Sequence, residues 1–274
     1  MTCIDFRKTA AATLIAVCAS ANAELIISVS NNVGNELGGL VFNDGDMVQT
    51  NASGSMASVF FAESNWTSDG DTDAFHILDD GTYLFSSLFN STIGGVTFDD
   101  GDVIRYNPNT GVAETYFITE STFDDAGEDI SALSTLADGD IVFSTLADAS
   151  IGGVAFTSGD LMRYDIDTGT VSFLIVGADL FDDGDANIYG AHANADGTFL
   201  LTASTDEMIG GTLFLDGDVF LYDPLTDSAT LFFSEAAFGG QNQDIDALYF
   251  FIPAPGATSL LAFAGLTAMR RRRC

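Results

Sequence analysis

Carboxylates are the side chains that this sequence supplies in a pattern able to do chemistry. Asp100-Gly101-Asp102 and Asp216-Gly217-Asp218 each set two acids around a glycine, a loop chemistry suited to Ca2+, which takes about six to eight oxygen ligands in forgiving geometry. Asp71, Asp129 and Asp244 recur at one phase of a longer repeat, with Asn187 in the remaining place, and complete the set of candidate metal ligands. None of these loops matches the EF-hand or the calcium-binding β-helix pattern, so the cation reading rests on composition. Asp-Gly-Asp is also good turn chemistry on a solvated acidic surface. For Asp71, Asp129 and Asp244 the bland alternative is a cap on backbone amides that lead into a strand.

Other chemistry has little support. His76 and His192 lack metal-ligand spacing, and the sequence contains no nucleophile elbow, zincin motif or phosphate loop. Carboxylate pairs for glycoside hydrolysis could be drawn from so many aspartates, but nothing singles out a pair. Arg105 and Arg163 hold equivalent positions in successive repeats and are expected to pair with nearby aspartates, a sugar- or carboxylate-binding role being the alternative. Ser86, Ser144 and Thr202 recur in the same way, which marks them as structural.

The elements that position these residues come from internal repetition. Segments starting at Leu37, Ile93, Ile151 and Ile209 align without a gap, and their first glycines, Gly38, Gly94, Gly152 and Gly210, are 56, 58 and 58 residues apart. Each unit offers four short β-rich runs with Gly, Asp and Pro punctuation and no helical periodicity, the size of one propeller blade. The innermost runs are Ala74 to Ile77, Ala132 to Leu136, Gly190 to Asn194 and Ala247 to Phe251, and the outermost run of the second unit is Thr115 to Ile118. The first unit begins at its second strand, Leu25 to Ile27, while the chain's last run is a first strand without a blade. These deficits complement one another. The expectation is an all-β, four-bladed β-propeller over residues 24–252 whose ring is sealed by its two ends; a stacked β solenoid is the alternative. In such a ring the B-to-C and D-to-A connections share one face; the former hold Asp44, Asp46, Asp99, Asp100, Asp102, Asp160, Asp216 and Asp218, and the latter Asp69, Asp71, Asp73, Asp124, Asp125, Glu128, Asp129, Asp179, Asp182, Asp183, Asp185, Asp244 and Asp246. One face should be a ring of carboxylates. The longest departure from the repeat, Phe238 to Gln243, is where a unique pocket would be sought.

The ends have their own character. Arg7 and Lys8, an apolar run from Thr9 to Cys18 and small residues closing on Ala23 have the layout of a secretory signal, residues 1–23. At the other end Ile252-Pro253-Ala254-Pro255-Gly256 leads into an apolar run, Ala257 to Met269, and then Arg270 to Arg273 and Cys274. That run of 13 residues rises about 20 Å as a helix against a hydrocarbon core of roughly 30 Å, too short for a permanent anchor, and the arginines would hold its end at the cytoplasmic face. Without these ends the chain has 39 acids against two bases, Arg105 and Arg163. Nucleic acid and anionic lipid are repelled as partners; cations, cationic polymers and uncharged polysaccharide are not. All three cysteines lie in the ends, so the repeats contain no disulfide.

The proline pair, short apolar segment and arginine cluster together resemble the PEP-CTERM sorting signal over residues 252–274, with Ala254 where that family usually has glutamate. The resemblance implies an exosortase-type processing enzyme as partner, removal of the 253–274 tail after transient insertion of 257–269 in the inner membrane, and release to the cell envelope or extracellular matrix. The expected function is that of an exported, non-catalytic surface or matrix protein whose acidic face binds divalent cations such as Ca2+, or exopolysaccharide. The alternative is a secreted carbohydrate-active hydrolase or lyase using the same face.

Overall fold

A computed structural model describes residues 24–30, 34–67, 70–125, 127–182 and 186–251. The expected signal 1–23 and tail 253–274 lie outside the described residues. Leu25–Tyr249 forms one compact unit; of a second unit, made from the two ends, only Glu24, Phe250 and Phe251 are described. No helix among the described residues is long and apolar enough to cross a membrane.

The regular structure among the described residues is nearly all strand, laid out in four equivalent groups. The first group is β1 (Glu24–Val29), β2 (Asn35–Leu37), β3 (Leu40–Phe42), β4 (Met47–Asn51) and β5 (Ala57–Phe61). The second is β6 (Thr72–Ile77), β7 (Tyr83–Ser87), β8 (Ser91–Ile93), β9 (Val96–Phe98), β10 (Ile104–Asn107) and β11 (Val112–Thr115). The third is β12 (Ile130–Thr135), β13 (Ile141–Thr145), β14 (Ala149–Ile151), β15 (Val154–Phe156), β16 (Leu161–Asp165) and β17 (Thr170–Ile175). The fourth is β18 (Ile188–Ala193), β19 (Phe199–Ala203), β20 (Glu207–Ile209), β21 (Thr212–Phe214), β22 (Val219–Asp223) and β23 (Ser228–Phe233), and β24 (Ile245–Phe251) ends the described chain.

Each group contributes a four-stranded antiparallel sheet, ordered β24-β1-β4-β5, β6-β7-β10-β11, β12-β13-β16-β17 and β18-β19-β22-β23. The protein is a four-bladed β-propeller, closed as the complementary ends require by β24 docking on β1. The same backbone bond pins every blade at its inner edge: Leu88 N–H to Asp71 O, Leu146 N–H to Asp129 O, Ser204 N–H to Asn187 O and, across the closure, Ser30 N–H to Asp244 O at 3.0 Å.

Two local features depart from the sequence reading. The glycine-rich segments between second and third strands are hairpins, β2-β3, β8-β9, β14-β15 and β20-β21. They turn on glycine pairs such as Gly94 (φ 61) and Gly95 (φ 80), since two successive left-handed residues make the turn whose twist matches a two-residue hairpin. The outer strand of the second blade is Val112–Thr115 and not Thr115 to Ile118. Phe117 takes a left-handed conformation (φ 57), which folds Tyr116 and Ile118 back so that both bond the backbone of Val103.

Middle strands bear the core. Every residue of β13 and β19 is buried, while β17 and β23 are largely exposed, because a second strand has a strand on each side and a neighbouring blade on each face. Apolar clusters accordingly run between blades: Ala132 and Val142 pack with Phe199, Leu201 and Phe220, and Ala74 and Leu84 with Leu133 and Phe143.

Candidate functional site

The recurring acid loops have first a structural task. Asp46 accepts the amides of Asn43 and Glu63, Asp102 those of Asp99 and Glu120, Asp160 those of Thr157 and Gly177, and Asp218 those of Leu215 and Glu235, all at 2.7–3.2 Å. One carboxylate per blade thus closes the B-to-C turn with one oxygen and holds the first turn of the D-to-A link with the other. The glycine before it is set by close approach: a Cβ on Gly159 would lie 2.6 Å from the carbonyl oxygen of Ala186, and one on Gly45 2.7 Å from that of Gly70. Ser28, Ser86 and Ser144 donate to the loop carbonyls of Asp44, Asp100 and Ser158. Thr202 reaches Ile245 instead.

The inner strands gather a second set. Asp71, Asp129, Asn187 and Asp244 stand just before β6, β12, β18 and β24, and two residues on are Asp73, Ser131, Tyr189 and Asp246. In β6, β12 and β18 the ladder skips the residue between Thr72 and Ala74, Ile130 and Ala132, and Ile188 and Gly190. A bulge of this kind takes a side chain off the sheet and re-aims it, here toward the ring's axis, where the four inner strands meet. Asp73 hydrogen-bonds Asp129 of the next blade and feels Asp246 of the blade before. Tyr189 faces the same acids from the fourth blade.

This acidic mouth of the ring is short of donors. One oxygen each of Asp71, Asp73, Asp129, Asp244 and Asp246 is buried without a hydrogen-bond partner, although Asp73, Asp129 and Asp246 are only 7%, 8% and 5% exposed. Burial, reinforced by neighbouring carboxylates, pushes Asp71 and Asp129 up to about 7 and Asp244 up to about 6, and holds Asp73 and Asp246 well above the usual carboxylate range. The mouth therefore stores protons near neutrality, one of them between Asp73 and Asp129, because two carboxyls can hydrogen-bond only by sharing one. Carboxyls in such contact are too close to act as the separated acid and nucleophile or base of a glycosidase.

Of the sequence candidates, Asp71, Asp129 and Asp244 converge on the mouth. Asp100 adds to the field on Asp129, and Asp216 hydrogen-bonds Asp244. Asp102 and Asp218 are occupied in the loop clamps. Among the described residues no three His, Cys, Asp or Glu side chains are placed to hold one ion. No family model and no curated protein matches the chain. Solved structures similar to it include a catalytically inactive virginiamycin B lyase from Staphylococcus aureus with quinupristin (11% identity, 79% of this chain and 54% of that one, TM-score 0.33). A streptogramin B lyase (12%, 86% and 76%, 0.34) and the calcium-binding protein regucalcin from Agrobacterium tumefaciens (13%, 76% and 59%, 0.34) are others. The chain thus spans about half the length of the first of these, and its fold rests on its own strand pairing.

At the far end of the inner strands lie residues that spacing alone kept apart. His76 and His192 are nearly stacked, ring centroids 6.2 Å apart, and Tyr249 sits edge-on to both at 5.2 and 5.1 Å. His76 Nε2 is 2.8 Å from Thr135 Oγ1. Burial drives His76 down to about 3 and His192 to about 4, so both imidazoles are neutral at ordinary pH. Arg105 and Arg163 pair as expected: Arg105 with Asp80 at 2.5 Å, Arg163 with Asp138 at 2.8 Å and Asp140 at 2.5 Å. Phe238 to Gln243 fastens the closure, the Gln241 amide donating to Gly34 O at 2.8 Å and accepting from Glu36 N–H at 3.3 Å.

Proposed function

We propose that this is an exported, non-catalytic protein of the cell envelope or extracellular matrix, whose propeller takes up divalent cations at the acidic mouth of the ring in exchange for protons. The observation that carries the reading is the set of buried carboxyl oxygens of Asp73, Asp129 and Asp246 that lack partners. A buried polar atom without a partner is expensive, and five carboxyls with two bases in the whole domain give a cation a strong electrostatic reason to enter. Because these oxygens do not converge on one point, water completes the shell, a mode that Ca2+ accepts more readily than Mg2+. Export and release rest on the two ends: the signal of 1–23 and the arginine-terminated tail that resembles an exosortase substrate.

The test is thermal unfolding of the purified protein at fixed ionic strength. Ca2+ at about 100 times its Kd should add about 2.7 kcal/mol by linkage, at concentrations where Mg2+ adds little, and Asp73→Asn with Asp246→Asn should abolish the difference. Equal shifts with both ions, persisting in that double variant, would reduce the effect to screening and remove the site.

A further inference from the structure

At the opposite ends of the inner strands lies a cavity of about 960 Å3 that the cation reading does not use. It is framed by the A-to-B turns of three blades, around Asp79, Ala137 and Ala195, and on the fourth side by Tyr249. Its volume is at the upper end of the roughly 300–1,000 Å3 range of small-ligand sites.

Three observations fix the chemistry. The floor is aromatic and uncharged, made by the neutral His76 ring against Tyr249, with Leu78 and Leu136 beside it. The wall holds a polar group already set in place: Arg105 is tied to Asp80 Oδ2 at 2.5 Å and to Thr82 Oγ1 at 3.1 Å, and lies over the Tyr116 ring at 5.7 Å. Asp80 is fixed in turn by the amide and hydroxyl of Thr82, at 2.9 and 2.6 Å. Donors and acceptors are therefore interleaved on a rigid wall above a ring-faced floor. A saccharide matches this, since each hydroxyl both donates and accepts and the C–H face of a pyranose packs on an aromatic ring. Anionic sugars are disfavoured by the net charge of the domain, and of the three aspartates lining the cavity Asp80 and Asp138 are already paired with Arg105 and Arg163, which leaves an organic cation Asp79 alone.

We propose that this funnel, on the face opposite the acidic cluster, binds an uncharged oligosaccharide, with the Tyr249 ring as the stacking surface, buried His76 set edge-on behind it, and the Arg105–Asp80 pair as the hydroxyl-reading wall. The proposal is independent of the cation site. The test screens the full chain against an array of neutral glycans built from α- and β-linked glucose, galactose, mannose and N-acetylhexosamine, with oligogalacturonate and spermine as charged probes, and follows hits by titration calorimetry. A neutral glycan should bind, and Arg105→Met and Tyr249→Ala should each weaken it tenfold or more. Leu225→Ala, at an exposed site in the outer turn of the fourth blade and outside this cavity, should leave it unchanged. If Tyr249→Ala fails to fold, Arg105→Met, on a half-exposed residue, still decides. Binding of no neutral glycan, binding of only the charged probes, or neutral-glycan affinity indifferent to Arg105→Met would overturn the assignment.

Discussion

Replacing Asp129 by Asn should stabilise this protein, and by an amount that depends on pH. Asp129 is 8% exposed and titrates near 7, against an ordinary aspartate value of 3.8, burial being the main cause. A group whose folded pKa is raised favours the folded state below its unfolded pKa and loses that contribution as pH climbs through the folded value. Ionised Asp129 therefore burdens the native state most at alkaline pH. At about 1.36 kcal/mol per pKa unit, the burden is roughly 1 kcal/mol at pH 4.5 and roughly 4 kcal/mol at pH 8. Sharing of one proton with Asp73 reduces the larger figure to about 2 kcal/mol. The asparagine oxygen still accepts from Asp73, and no charge enters the mouth. The variant's midpoint should rise by roughly 4–8 °C at pH 8 and by much less at pH 4.5. Both proteins should be unfolded at each pH at the same ionic strength without divalent ions, so that His76 and His192 contribute equally to both and cancel. Destabilisation at pH 8, or a gain that is the same at both pH values, would refute the picture of a proton-storing mouth.

The loop clamps give two simpler expectations. Asp102→Ala strands two backbone amides, of Asp99 and Glu120, and should cost about 2–4 kcal/mol in denaturant unfolding, with Asp102→Asn losing about half as much. Gly159→Ala drives a methyl against Ala186 O, 2.6 Å away, and should lower stability by about 1–3 kcal/mol. Parent-like unfolding of Gly159→Ala would mean that the loop glycines recur for some other reason.

Much of this architecture was legible in the repeat. Its phase placed the inner strands within one or two residues, and the missing first strand of the opening unit foretold the pairing of β24 with β1. The hairpins were missed because glycine pairs were read only as loop punctuation, although two consecutive residues with positive φ suit a tight β-turn. The mouth was half visible. Asp71, Asp129 and Asp244 stand out by recurrence, and Asp73 and Asp246 fall on the same acidic face, but as loop residues; in the structure both lie in strands, where simple alternation does not aim them inward. Only the bulge beside Thr72 re-aims Asp73. His76 and His192 were read as isolated because local spacing was the criterion. They are 116 residues apart, two full repeats, so the ring brings equivalent positions of non-adjacent blades face to face.

Closure by the two ends fixes when this molecule can finish folding. Ser30 and Asp244, whose backbones meet at that seam, are 214 residues apart in sequence, so β1 is made first and waits for a partner that is made last. Until then β1, with apolar side chains at Leu25, Ile26 and Ile27, presents a bare edge of unpaired backbone groups of the kind that invites pairing with other chains, and so distant a contact forms slowly. Nascent chains are therefore open arcs, and a break that removes 245–251 would return the finished molecule to that adhesive state.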